Sequence, residues 1–598
     1  MKGAQSRLLP DDNEMISELE SLKLSERIVN ILLNEKNKPE GKVRILWVRK
    51  LIQVYGFPVN QLDINVPAGA GREADNPAST VKADIVLYRD QPKTQPFIVV
   101  ETKAEGKKKG LAQAEGYARV LGAEYYLWSD GAYNYAFKTS RYPNLSEPIG
   151  DIPRWVGDKP LVQKVPKGEQ GLPPFKDEEE LRKVIKTCHD LILEKQGHDP
   201  AKAFDEMTKL LFLKLYDERE VPNFYEFVVL VDQSPKQVAD NIRNLFSDAV
   251  MSSKYKDVFF SRFNKQPDMT LELDDFTIFR LVQILQGYSL ANTTDNVHGA
   301  DIKGTVFEKM VGETFRGELA QFFTPREIVE FVIDYLNPSK DDVIFDPACG
   351  SGGFLIMSIH KVRERIKKEF RNLSPTEVET KIKYFAEHNL LGVDINERMA
   401  TVAKMNMIMH GDGHAGIYNL NGLFTDPETP RDFVNKIKKE GTIIVSNPPF
   451  AGREKDANIL KLFDIGKNKK GEPTSVSKEL LFIENIIKLS KPDTRIGLVI
   501  PSGVFNNPSS PYVRIREIIR TKTKILALIA LPHDAFRVSG ANNEGNLMFL
   551  ERMENPPPIM KFISIGQDMS ALMQREEKFR LMICPLSLSV PKTRNPKT

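Results

Sequence analysis

The chain has 598 residues, 41% hydrophobic and 28% charged, a length that exceeds what one core can serve and points to roughly three or four domains. A net charge of +3, from 84 Lys and Arg against 81 Asp and Glu, excludes a global basic field, so any nucleic-acid affinity must come from local patches. Three cysteines without metal-ligand spacing (Cys188, Cys349, Cys584), apolar runs no longer than a strand, and no signal peptide point to a cytoplasmic protein with no membrane partner.

After a lead-in over residues 1–39, positions 43–57 repeat apolar residues at helical spacing until Gly56, with Glu40 just before the run. Two β-rich runs follow, Ala83 to Tyr88 and Pro96 to Lys103, separated by a polar turn at Gln91 to Gln95. Residues two apart on a strand share a face, so Glu101 and Lys103 point together, and Asp84 opens the neighbouring strand. Two carboxylates and a lysine on one sheet edge suit a hard divalent cation such as Mg2+, with Lys103 polarising a water or offsetting phosphate charge. A solvated edge strand carries such charges as well. Strands at Tyr125 to Trp128 and Tyr133 to Phe137, joined by Ser129-Asp-Gly131, complete the sheet.

This arrangement resembles the nuclease fold named for its Asp…(Asp/Glu)-x-Lys signature. Gln113-Ala-Glu-Gly-Tyr117 matches the Gln-x-x-x-Tyr extension in the amino-terminal domain of type I restriction subunits. The resemblance implies a nuclease-like domain over 40–145, with Asp84 and Glu101 binding metal, Glu40 an outer metal ligand, Lys103 catalytic, and Gln113 and Tyr117 on the DNA backbone. Lys107 to Lys109 reads as a basic turn facing phosphate or as a plain solvated loop.

Six prolines between Ser146 and Phe175 mark a linker over 146–175. A helical region over 176–300 follows, with apolar stripes through Leu181, Val184, Ile185, Cys188, Leu191 and Ile192, and then Phe204, Met207, Leu210, Leu211, Leu215 and Tyr216. The stretch Gln321, Phe322, Phe323, Thr324, Pro325 and Arg326 precedes a helix, with Thr324 placed as N-cap and Pro325 as first helical residue.

Asp346-Pro-Ala-Cys-Gly-Ser-Gly-Gly-Phe354 lies between the apolar run Val343 to Phe345 and a helical segment from Leu355 to Val362. Gly350, Gly352 and Gly353 let the backbone turn sharply, and the helix after them points free amides at a ligand. The spacing is neither that of dinucleotide folds nor that of a phosphate loop. Leu390 to Asp394 forms the next strand, after a charged crossover over Lys361 to His388, and its terminal acid suits two ribose hydroxyls. His410 and His414 in a glycine-rich turn read as loop residues. Thr442 to Ser446 is a further buried strand, ending at Asn447-Pro-Pro-Phe450. There the Asn447 oxygen and the Pro448 carbonyl can accept both hydrogens of an aromatic amino group, freeing its lone pair for attack on an electrophilic methyl. Pro448 and Pro449 hold those oxygens in place, and Phe450 offers a stacking face to a base swung out of its duplex.

Asp346 to Phe354 together with Asn447 to Phe450 resembles the adenine-N6 DNA methyltransferases, most closely the modification subunits of type I restriction systems. The resemblance implies an α/β fold over 301–553, a seven-stranded class I S-adenosylmethionine-dependent methyltransferase sheet, preceded by the helical domain and the amino-terminal α/β restriction-endonuclease-like domain. It places S-adenosylmethionine against Gln321 to Arg326, Asp346, Gly350, Ser351, Gly352, Gly353, Asp394 and Asn421, with Asn447, Pro448, Pro449 and Phe450 catalytic. The helical domain would cap the methylase and help clamp DNA, although a plain helical spacer fits its residues equally well.

Gly466-Lys-Asn-Lys-Lys-Gly471 could meet DNA phosphates or be a surface insert. A helix from Ile483 and strands at Arg495 to Pro501, Ile525 to Leu531 and Asn546 to Glu551 complete the sheet. The tail from 554 to 598 departs from the family pattern, which continues with helices that grip a specificity subunit. Nuclease first, methylase second and no target-recognition stretch resembles fused restriction-modification subunits acting on double-stranded DNA with a separate specificity subunit.

Overall fold

The computed structural model describes residues 19–554 with breaks, the longer ones at 71–79, 105–109, 141–145, 293–305, 311–323 and 533–544. Residues 1–18, Lys107 to Lys109, Gln321 to Phe323 and the tail from 555 lie outside the described residues. The chain divides into two units, 1–314 and 315–598.

In the first unit, helix α1 (Glu26–Glu35) leads to α2 (Pro39–Gln53). The second helix starts a turn earlier than its apolar repeat indicates, because Pro39 is preorganised for a first turn. It also ends sooner: Gly56 takes a positive φ of 75° and the Phe57 amide folds back onto the Leu51 carbonyl at 2.9 Å. Glu40 therefore sits within the first turn and not before it.

Six strands form one sheet in chain order: β1 (Leu62–Ala70), β2 (Thr80–Tyr88), β3 (Pro96–Thr102), β4 (Tyr125–Ser129), β5 (Asn134–Lys138) and β6 (Glu147–Ile149). Only β3 and β4 pair in parallel, with α3 (Leu111–Leu121) as the crossover between them. The continuous apolar runs of β2 and β3 are buried on both faces. Ile85, Leu87, Ile98 and Val100 pack in the cluster that contains α2, and Val86 and Val99 pack with Ala114 and Ala118 of α3. Asp84 consequently lies mid-strand and does not open β2.

The proline-rich stretch 146–175, expected as a linker, instead contributes the edge strand β6, where Ile149 pairs with Ala136. An edge strand tolerates proline because its outward amides need no partner, which is how Pro148 fits. Asp151 follows, buried, accepting the Tyr55 hydroxyl at 2.9 Å and the Gln286 amide at 2.7 Å. The four helices α4 (Glu178–Lys195), α5 (Pro200–Glu220), α6 (Pro235–Met251) and α7 (Asp275–Leu285) belong to this same unit. Arg49 of α2 pairs with Glu180 of α4 at 3.1 Å, and the expected apolar stripes of α4 and α5 are largely buried.

The second unit is built on a seven-stranded mixed sheet. Helix α8 (Arg326–Leu336) precedes β7 (Val343–Asp346), and α9 (Gly353–Glu369) and α10 (Pro375–Asn389) lead to β8 (Leu390–Asp394). Then come α11 (Glu397–Met409), β9 (Ile417–Asn419), α12 (Arg431–Glu440), β10 (Gly441–Ser446), α13 (Lys478–Leu489), β11 (Arg495–Pro501), α14 (Ser510–Lys522), β12 (Thr523–Ala530) and β13 (Gly545–Arg552). The strands lie in the order β9-β8-β7-β10-β11-β13-β12, all parallel except β13, which runs antiparallel to both neighbours. The chain leaves β7 toward β8 and later returns to β10 on its other side, creating a switch point at the carboxyl ends of β7 and β10, where open α/β sheets hold ligands. Separate apolar clusters fill the two faces of the sheet, one around Ile344, Ile443 and Phe549, the other around Phe345, Ile444 and Leu550. Among the described residues no helix is long and apolar enough to cross a membrane.

Candidate active site

The two sequence motifs meet at the switch point. Residues Val343 to Phe345 pair in parallel with Gly441 to Ile444, and just beyond this ladder the Ser446 hydroxyl donates to Asp346 Oδ1 at 2.8 Å. The same oxygen accepts the Ala348 amide at 3.0 Å, so Asp346 holds the root of the glycine turn against the root of Asn447-Pro-Pro-Phe450. Asp346 is buried, and desolvation, helped by the neighbouring charge of Asp394, lifts its carboxyl from 3.8 to about 7 against the pull of its two donors.

The turn needs its glycines at two places. Gly350 and Gly352 have φ of +53° and +86°, a region costly for residues with a Cβ. A Cβ at Gly350 would meet no heavy atom within 4 Å, so that side of the turn is open to a ligand. Gly353 begins α9, and Ser351 is held by its carbonyl, which accepts the buried Asn406 amide at 3.0 Å. Asp394, at the end of β8, accepts the amides of Gly350 at 3.1 Å and Asn396 at 2.8 Å, which ties the acid to the glycine turn. Burial raises its carboxyl above the usual range in spite of those two bonds. Beside it Ile395 is 68% exposed, an apolar face at the rim of the site.

Asn421 makes a local turn: its Oδ1 accepts the Leu423 amide at 3.0 Å, and its Nδ2 donates to Thr425 at 3.1 Å. That turn presses on the Asp346 loop, since a Cβ on Gly422 would lie 1.9 Å from the Pro347 carbonyl oxygen.

Asn447 is half-buried and donates its amide to Thr324 Oγ1 at 2.9 Å; its Oδ1 has no partner among the described residues. Pro448 is buried, Pro449 exposed, and Phe450 is half-buried against the core cluster. Thr324 does not cap α8, because Pro325 occupies the N-cap position and its carbonyl accepts the amides of Ile328 and Val329, both at 3.0 Å. Arg326 is the first helical residue.

At the other candidate site, Lys103 bonds Glu101 Oε1 at 2.6 Å, as the shared strand face requires. Asp84 is engaged by protein groups at both oxygens. Its Oδ1 accepts from Arg44, and its Oδ2 accepts the Thr102 amide and hydroxyl, both at 2.7 Å. Arg44 also bonds Glu35, and Asn65 at 3.0 Å. Glu101 Oε2 is buried without a partner, and burial, then the charge of Asp84, lifts the Glu101 carboxyl to about 7. Among the described residues no group of three or more His, Cys, Asp or Glu is placed to hold a metal ion. In this arrangement Asp84 does not offer a free carboxylate to Mg2+, because a guanidinium already pairs with it. On α3, exposed Gln113 donates to the buried Tyr117 hydroxyl, making one local pair.

Arg44, Asn406 and Ser446 were hidden in the sequence. A lone arginine on a helix reads as a solvated charge, and the other two as ordinary polar residues; only Ser446, ending an apolar strand directly before Asn447, carried a signal.

Residues 298–580 match the N-6 DNA Methylase family, and residues 39–153 match the type I restriction enzyme R protein N terminus (HSDR_N). The chain carries an N-6 DNA methylase domain behind a type I R-protein amino-terminal domain. The methylase domain is similar to the EcoEI methylase subunit of a type I restriction enzyme of Escherichia coli, 22% identical over 59% of this chain and 71% of that one. The StySJI methylase subunit of Salmonella typhimurium is 25% identical over 62% of this chain and 66% of its own length. Among solved structures, a modification subunit of a putative type I restriction enzyme from Vibrio vulnificus YJ016 covers 64% of this chain and 83% of its own, with 18% identity and a TM-score of 0.47.

Proposed function

We propose that the second unit transfers a methyl group from S-adenosylmethionine to the exocyclic N6 amino group of adenine in DNA. One observation carries this reading: Asn447-Pro-Pro-Phe450 and the open glycine turn sit at the ends of two adjacent parallel strands, joined by the Ser446–Asp346 hydrogen bond. Asp394 fits two ribose hydroxyls, exposed Ile395 fits one face of an adenine ring, and Gly350 to Gly353 with the start of α8 fit the amino-acid end of the donor. Bound there, S-adenosylmethionine supplies an electrophilic methyl.

The chain's own residues then set up the acceptor. Asn447 Oδ1 and the Pro448 carbonyl accept the two amino hydrogens and draw the nitrogen out of conjugation with its ring. Phe450, braced on the core, gives the extruded base a surface to lie on. The relatives are named as subunits of restriction enzymes, which supports double-stranded DNA as substrate, a separate specificity subunit that reads sequence, and a cytoplasmic setting.

For the amino-terminal domain the Arg44–Asp84 pair favours DNA holding over cutting, with Gln113 and Tyr117 on the backbone. Methyl transfer from tritiated donor to mixed DNA, with the specificity subunit present, should fall at least about a hundredfold in Asn447→Ala. An undiminished rate would end the methylase reading. In the same preparation Mg2+ should elicit no cleavage; cutting that disappears in Lys103→Ala would restore a nuclease.

A further inference from the structure

The bond between Asn447 and Thr324 joins residues far apart in sequence, and among the described residues neither side chain bonds within its own segment. A threonine directly before a helix normally turns its hydroxyl onto the helix's free amides. Here Pro325 has taken that position with φ −51° and ψ 141°, so the Thr324 hydroxyl is left to face the Asn447 amide at 2.9 Å. A proline also restricts the residue before it, which fixes the backbone that carries the hydroxyl.

An asparagine amide presents donors at one end and an acceptor at the other. The Thr324 hydroxyl can accept from Nδ2 or donate to Oδ1; accepting from Nδ2, as here, it fixes the plane of the amide and leaves Oδ1 pointing away from Thr324. Turned over, the side chain would offer two hydrogens to an amino group that needs acceptors, and donor would face donor. Both residues are half-buried, where water replaces a lost partner poorly.

Resting on the methylase reading above, we propose that Thr324 is a positioning residue for Asn447: it locks the side-chain amide so that Oδ1 faces the target amino group. Because Thr324 also belongs to the stretch 321–326 assigned to the donor pocket, one hydroxyl links that pocket to the group that activates the acceptor.

The test uses the full chain with its specificity subunit and compares Thr324→Val, which keeps shape and removes the hydroxyl, with Thr324→Ser, which keeps the hydroxyl. The valine variant should lose about tenfold to a hundredfold in kcat, a larger factor than any rise in KM for S-adenosylmethionine, and serine should restore most of the loss in kcat. An unchanged kcat, or a loss confined to KM, overturns the assignment. Crystal structures of wild type and Thr324→Val decide it without activity: the Asn447 side chain should leave its wild-type rotamer in the variant, a shift that density shows directly, and an unmoved side chain overturns the proposal. A wild-type protein that methylates no adenine would count against the methylase reading alone, since the crystallographic comparison still judges Thr324.

Discussion

At the scale of single residues, Asp346 shows how a buried acid can serve architecture and leave a pH signature. Its carboxyl is raised from 3.8 to about 7 by burial, so the folded state favours the protonated form. The stability this gives is fully present below about pH 4 and is lost as pH rises through about 7. Thermal unfolding of the second unit should therefore fall by a few degrees between pH 5 and 8, and Asp346→Asn, which keeps an acceptor for Ser446 and cannot ionise, should flatten that slope. Parallel slopes in the two proteins would show that another group titrates. The residues whose chemistry can be named from type and spacing alone, such as Asn447 and Asp394, are the ones legible in sequence. Thr324 is not, because the bond that engages it spans two distant segments, and its position before Pro325 suggests a different use.

At the scale of elements, buried parallel strands were the most readable part of the chain. Leu390–Asp394 and Arg495–Pro501 fall where their continuous apolar runs place them, since strands covered on both faces carry no alternation to misread. Helix starts were less readable. Pro39 and Pro325 each shift a boundary by a local preference that competes with the apolar repeat. Asn421 marks the turn after β9 in sequence, but the packing of that turn was not readable, because it depends on proximity: Gly422 lies against Pro347 with no room for a methyl group. Gly422→Ala should push the two loops apart, destabilise the second unit by about 1–3 kcal/mol, and weaken S-adenosylmethionine binding by about tenfold or more in calorimetric titration. Wild-type affinity for the donor would show that the loop contact is mechanical only.

At the scale of the whole molecule, two sheets with separate cores carry two candidate sites. The nuclease-like signature was readable because Asp84, Glu101 and Lys103 keep their order and faces. What sequence could not disclose is that Arg44 occupies the charge that a metal would neutralise. Arg44→Ala leaves Asp84 and Glu35 without their cation and should cost the first unit about 3–5 kcal/mol in metal-free buffer. Millimolar Mn2+ should recover part of that loss and bind at least about tenfold more tightly than to wild type. Equal Mn2+ affinity in the two proteins would show that the guanidinium is no barrier.

The Ser446–Asp346 bond and the parallel ladder beneath it have one more consequence. Neighbouring strands keep a spacing of about 4.8 Å that thermal motion scarcely changes, because the ladder between them is hydrogen-bonded. The gap between the Asn447 amide and the glycine turn proposed to seat the donor is thus graduated by backbone geometry, a ruler that no side-chain rotamer can stretch. Substitutions that retune this enzyme's choice of base should accumulate in the loops above that ruler and spare the strands that form it.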